Sequence, residues 1–222
     1  MKLFVIPGGA FVENTYILSN EGSSEVLLVD PGSQTEEIEK QLNDLEFSSI
    51  KIINTHAHLD HIYGVEYFKK KYDALFLIHE LEVPIVNVMI DAAMRFGLDE
   101  FSKPEIPKID EFIKDNQEIE VAGSKFITIH VPGHSPGSLC FYFSKKLNPN
   151  IENEFVICGD TVFAGSIGRV DLTGGTNMND LVGNIKKRLM VLPDETVLLP
   201  GHGPETRVGV EKQSNPFLLG YE

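Results

Sequence analysis

The chain has 222 residues, 42% hydrophobic and 23% charged, which is enough apolar material for a buried core and excludes a disordered chain. Its 33 acids against 19 bases give a formal net charge of −14, and the only dense basic runs, Lys69-Lys70-Lys71 and Lys186-Lys187-Arg188, are short. Nucleic-acid binding draws on clustered Lys and Arg that neutralise phosphates, so no such partner is expected and both runs read as solvated helix ends.

In chain order, Leu3 to Ile6, Asn14 to Ser19 and Val26 to Val29 are short apolar runs separated by Pro7-Gly8-Gly9 and by Asn20-Glu21-Gly22-Ser23-Ser24, and they read as strands joined by turns. Asp30-Pro31-Gly32 closes the third strand. Gln34 to Leu45 follows with Ile38, Leu42 and Leu45 at helical spacing, capped by Ser33. Ile50 to Ile53 is the next strand, the run Thr55-His56-Ala57-His58-Leu59-Asp60-His61 forms a loop after it, and Ile62 to Tyr72 resumes a helical pattern. Leu75 to Ile78 is a strand. Leu81 to Met94 is helical after an interruption at Pro84, and Phe96 to Ile109, with two prolines, is an irregular stretch that could border a site. Strands then dominate, at Ile119 to Val121, Lys125 to Val131, Ser138 to Phe143 and Phe155 to Cys158. A helix over Leu181 to Leu192, a strand at Thr196 to Leu199 and a short terminal helix over Arg207 to Gln213 complete one expected domain, residues 1–222.

The two cysteines, Cys140 and Cys158, each sit inside an apolar strand and read as buried thiols in a reducing compartment. Pro7-Gly8-Gly9 interrupts the apolar start, no cleavage site of a signal peptide follows, and no run approaches the roughly 20 apolar residues of a membrane-spanning helix. A cytoplasmic location without a membrane partner is therefore expected.

The histidine run carries the chemistry. His56, His58, Asp60 and His61 place four potential metal ligands within six residues. Histidines at i and i+2 would diverge on a helix, whereas an extended loop aims both the same way. Nitrogen and carboxylate donors without thiolates suit zinc, and also manganese or iron. His79 and His130 end apolar strands outside this motif and read as structural, with His130 a candidate support for His134.

The run Thr55-His56-x-His58-x-Asp60-His61 resembles the first ligand motif of the metallo-β-lactamase superfamily, and within it the glyoxalase II-like hydrolases. The resemblance continues at Asp30 in Val-Asp-Pro-Gly, His134 in Pro-Gly-His-Ser-Pro-Gly, Asp160 in Cys-Gly-Asp-Thr and His202 in Pro-Gly-His-Gly. It implies an α/β fold, a four-layer αβ/βα sandwich of two mixed β-sheets flanked by helices. It also implies two divalent metal ions, zinc first and iron or manganese as alternatives. His56, His58 and His134 would hold one, Asp60, His61 and His202 the other, with Asp160 and a hydroxide bridging them; Asp30 would support the ligand loop, and Asp60 would also orient the nucleophile.

The implied reaction is hydrolysis of a small-molecule thioester of the S-lactoylglutathione type. Arg169, in Gly168-Arg169-Val170-Asp171, matches the basic residue that contacts the glutathione carboxylate; an ion pair with Asp171 is an equal alternative. The chain is similar to a shorter branch without the C-terminal helical domain of full glyoxalase II enzymes. Iron-dependent persulfide oxygenation and lactone-type hydrolysis are the alternative reactions, since the persulfide dioxygenases share a similar Gly-Arg-Thr-Asp loop. The sequence leaves oligomeric state open.

Overall fold

The computed structural model describes residues 1–95 and 105–220. Its contacts divide the chain into two units, Met1–Ile113 with Val121–Gly123, and Lys114–Glu120 with Ser124–Glu222.

In the first unit the elements run β1 (Lys2–Gly8), β2 (Glu13–Ser19), β3 (Glu25–Val29), α1 (Thr35–Asn43), β4 (Ser49–Ile53), α2 (Leu59–Ile62), α3 (Val65–Tyr72), β5 (Leu75–His79), α4 (Val83–Val86), α5 (Met89–Arg95) and β6 (Glu111–Ile113). The strands form one sheet in sequence order, β1 to β6. Short turns make the β1–β2 and β2–β3 pairs antiparallel. From β3 onward the pairs are parallel, because helices carry the chain back between strands. Val26, Leu28, Ile50, Ile52, Phe76 and Ile78 alternate onto one face, where Ile38 and Leu42 of α1 and Val65 and Phe68 of α3 cover them. The intervening Leu27, Val29, Ile53 and Leu77 are buried as well, so these strands read as continuous apolar runs.

The second unit carries β7 (Glu118–Val121), β8 (Ser124–His130), β9 (Leu139–Phe143), β10 (Phe155–Gly159), the two-residue strands β11 (Val162–Phe163) and β12 (Ser166–Ile167), α6 (Met178–Arg188), β13 (Val197–Pro200), β14 (Thr206–Arg207), α7 (Val208–Ser214) and α8 (Pro216–Leu219). Its main sheet has the order β14-β13-β10-β9-β8-β7. The β10–β13 pair is parallel and α6 lies between its strands in sequence; β8–β9, β9–β10 and β13–β14 are antiparallel. Leu181, Val182 and Ile185 of α6 pack with Val156, Cys158 and Leu198. Two mixed sheets flanked by helices are thus present, as the resemblance implied.

Three local readings are corrected. Ser33 does not cap α1: Gln34 occupies the cap position with no side-chain cap bond, because its amide turns instead to Ile6 O and to Glu13. The helix read from Leu81 to Met94 is a 3₁₀ turn at Glu80–Glu82 followed by α4 and α5, and Pro84 lies in the first turn of α4, where its missing N–H has no consequence. The helical pattern after the histidines begins at Leu59, so Asp60 and His61 lie on α2 and only the stretch before it is loop. Most of the irregular stretch read at Phe96 to Ile109, residues 96–104, lies outside the described residues.

Candidate metal centre

In the first unit the chemistry gathers at the C-terminal ends of β3 and β4, where the parallel strands deliver their loops to one edge. Asp30 follows β3 with φ +51, a left-handed conformation that Asp tolerates better than most residues. Its carboxylate accepts the Thr55 backbone N–H at 2.7 Å and the Thr55 hydroxyl at 2.6 Å, and Oδ2 lies 3.0 Å from His61 Nδ1. With Nδ1 directed at Asp30, the Nε2 edge of His61 is the one left to serve a metal. His56 Nδ1 lies 3.0 Å from the Thr55 hydroxyl and is oriented in the same manner. The His56 ring centroid stands 4.8 Å from that of His58 and 4.2 Å from that of His61, and Asp60 Oδ2 lies 3.9 Å from His61 Nε2. The four residues of the run therefore converge, His58 from extended backbone and Asp60 and His61 from the first turn of α2.

Sequence reasoning missed three residues that hold this loop. Asn54 donates to His61 O at 2.7 Å. Glu82, completely buried, accepts the N–H of Ala57 between the two histidines at 2.8 Å. Glu13 is 1% exposed beside His61, and burial pushes its carboxyl well above the ordinary range while His61 pulls it back. An acid beside apolar residues, as in Phe11-Val12-Glu13 and Leu81-Glu82-Val83, occurs as readily on a solvated turn and does not signal these roles.

The second unit presents its own set. Asp160 follows β10, His202 follows β13 and His134 follows β8, each in a Gly-rich turn. Asp160 Oδ2 lies 3.5 Å from His134 Nε2 and 3.6 Å from His202 Nε2, and His134 Nδ1 lies 2.7 Å from the carbonyl oxygen of Arg169. The loop can reach that position because residue 168 is glycine: a Cβ there would sit 2.0 Å from Asp160 O and 3.1 Å from His134 Cβ. The Arg169 guanidinium is 63% exposed and engages Asp171 through two bonds of 2.7 Å, which holds the Asp171 carboxyl down at about 2. His130 Nε2 lies 2.8 Å from Pro136 O and braces the loop that carries His134; His79 Nδ1 accepts the Leu81 N–H and caps the 3₁₀ turn.

Each set fits a divalent cation by the chemistry of its donors. Imidazoles are fixed through Nδ1, Nε2 edges face carboxylates, and thiolates take no part, since Cys140 is buried in β9 with its thiol pushed up to about 12. Two mixed sheets with histidines and carboxylates at their strand ends make an α/β protein equipped to hold divalent metal. The chain belongs to the metallo-β-lactamase superfamily, whose family model matches residues 8–202 and so runs through both units. It is 31% identical to the hydroxyacylglutathione hydrolase GloC of Haemophilus influenzae, over 98% of each protein. Among solved structures it is similar to the BLEG-1 B3 metallo-beta-lactamase, with 30% identity, a TM-score of 0.85 and 98% and 99% coverage of this chain and that one. It is also similar to TTHA1623 in a di-iron-bound form, with 33% identity, a TM-score of 0.80 and 97% and 100% coverage. Among the described residues no helix is long and apolar enough to cross a membrane.

Proposed function

We propose that the chain is a dimetal thioester hydrolase acting on hydroxyacylglutathione-type substrates. His56, His58 and His134 would hold one ion and Asp60, His61 and His202 the other, with Asp160 shared and residues 1–222 acting as one domain. Zinc is the first candidate; the di-iron form of TTHA1623 keeps iron open. The observation that carries the reading is the convergence, within each unit, of imidazoles fixed through Nδ1 with Nε2 edges beside carboxylates, in a chain that matches GloC along nearly its whole length. When bound, such ions supply Lewis acidity and bring the pKa of water to near 7.

The chain's own residues supply the rest. Asp60, with its side chain 19% exposed, accepts a hydrogen bond from the attacking water and orients it. A cavity of about 1060 Å³ in the first unit reaches Asp60 and is walled by Leu59, Tyr63, Tyr67 and Phe11, a size and lining suited to a small organic substrate. Arg169 would take a substrate carboxylate in exchange for Asp171. On this reading Arg169→Gln raises KM for S-lactoylglutathione several-fold and leaves kcat nearly unchanged.

The test is turnover by full-length protein loaded in turn with zinc, manganese and iron. The panel comprises S-lactoylglutathione, a thioester lacking carboxylates, a lactone, the β-lactam nitrocefin, and glutathione persulfide with oxygen uptake recorded. Thioester cleavage is expected. Its absence with every metal sinks the reading, cleavage of nitrocefin or the lactone alone moves the chain to cyclic substrates, and oxygen uptake by a one-iron form makes it a dioxygenase.

A further inference from the structure

Glu13 opens β2 next to Val12, which is 60% exposed, yet its own side chain is closed off from solvent. Its Oε2 accepts the Gln34 amide at 2.8 Å and lies 3.2 Å from the Thr15 hydroxyl. That hydroxyl is also 2.8 Å from Asp30 O and accepts the Gly32 N–H at 3.2 Å, so the cluster around Glu13 fixes the turn from which the Asp30 carboxylate projects. Gly32 belongs to the same packing, since a Cβ there would meet Glu13 Oε2 at 2.4 Å and Gln34 Oε1 at 2.6 Å. The other oxygen, Oε1, has no hydrogen-bond partner among the described residues and stands 4.0 Å from His61 Nδ1, the nitrogen that Asp30 Oδ2 approaches at 3.0 Å. A carboxylate oxygen buried without a partner is costly, and the His61 ring beside it, which would gain positive character with a divalent ion on Nε2, would offset that cost.

We propose that Glu13 is a positioning residue for His61: together with Asp30 it forms a two-carboxylate cradle that presents His61 Nε2 to the second metal, so that occupancy of that position depends on Glu13. The inference rests on the dimetal reading above. It is selective as long as Asp30 stays in place, because Asp30 holds Thr55 and through it His56, while Glu82 holds the Ala57 N–H, and neither contact involves Glu13.

Glu13→Gln tests it with the shape retained. The Gln34 donor keeps the amide oxygen on its side, so an NH₂ replaces the carboxylate oxygen that stands 4.0 Å from His61 Nδ1. Metal content and stepwise zinc affinities are measured by elemental analysis and chelator competition on full-length protein, with thermal unfolding of the metal-free form alongside. Two zinc ions per wild-type chain are expected; in the variant the tighter site is unchanged and the other is weakened about 10- to 100-fold, the usual effect of losing a group behind a ligand, with the metal-free form still unfolding in one cooperative step. Should that variant not fold, Glu13→Asp, which draws the carboxylate away from His61 and leaves the Thr15 hydroxyl on the Asp30 turn, is expected to show the same selective loss. Wild-type affinity at both sites, or equal weakening of both, overturns the role of Glu13. A wild-type chain that takes a single ion with every metal overturns the dimetal reading, and the cradle with it.

Discussion

At His134 one ring nitrogen faces Asp160 and the other lies 2.7 Å from the Arg169 carbonyl, so backbone from the Gly168-Arg169 loop fixes the ring. Gly168→Ala places a methyl against Asp160 O and displaces that loop. The expected result is a loss of about 1–3 kcal/mol in denaturant unfolding, as for other overpacked sites, together with reduced metal content; a variant retaining both would show that the loop does not hold His134. Glu82→Ala leaves the buried Ala57 N–H unmatched and is expected to cost about 1–3 kcal/mol, read by the same unfolding measurement on metal-free protein. The His-x-His-x-Asp-His run and the Pro-Gly-His turns were legible because such residue types rarely cluster by chance. Glu13, Asn54 and Glu82 were not, because their roles come from burial, and an acid in Glu80-Leu81-Glu82 is indistinguishable in sequence from one on a solvated turn. Arg169 was legible as a position and ambiguous as a role: its guanidinium pairs with Asp171 while its carbonyl serves His134.

The elements show where local pattern suffices. The central strands of both sheets and helices α1, α3 and α6 follow from apolar runs and from spacing, since each must bury a face against a neighbour. The pieces that escape are β6, β11, β12, β14 and α8, which are two to four residues long and too short to express a period. Helix starts separate for a related reason. Asn177 accepts the Asp180 N–H and caps α6, whereas α1 begins at Gln34 without a side-chain cap. Asn177→Ala should therefore cost about 1 kcal/mol, and Ser33→Ala, beside an uncapped start, should be near neutral. Urea unfolding of the two variants checks the contrast, and a cost at Ser33 equal to that at Asn177 would contradict the cap assignment.

For the whole molecule, the two cysteines couple stability to alkaline pH. Cys140 and Cys158 are fully buried in β9 and β10; burial pushes the Cys140 thiol from 9.0 to about 12 and raises that of Cys158 as well. Unfolded thiols lose their protons near pH 8.5–9, while the folded ones retain them, so above that pH the unfolded chain binds fewer protons than the folded one. The sign is then fixed: the contribution of the thiols is complete below the unfolded pKa and declines as pH rises toward the folded value, by up to about 1.4 kcal/mol per pH unit for each thiol. The formal charge of −14 acts in the same direction, since deprotonation of lysines deepens the negative charge, and a control is needed to separate the two. The double variant Cys140→Ala, Cys158→Ala loses packing at every pH but keeps the charge effect. Urea unfolding in the presence of chelator, from pH 8 to 10.5, should give a steeper fall for the wild type than for the double variant. Parallel slopes would mean that the alkaline loss comes from surface charge alone and that the thiols ionise as readily folded as unfolded.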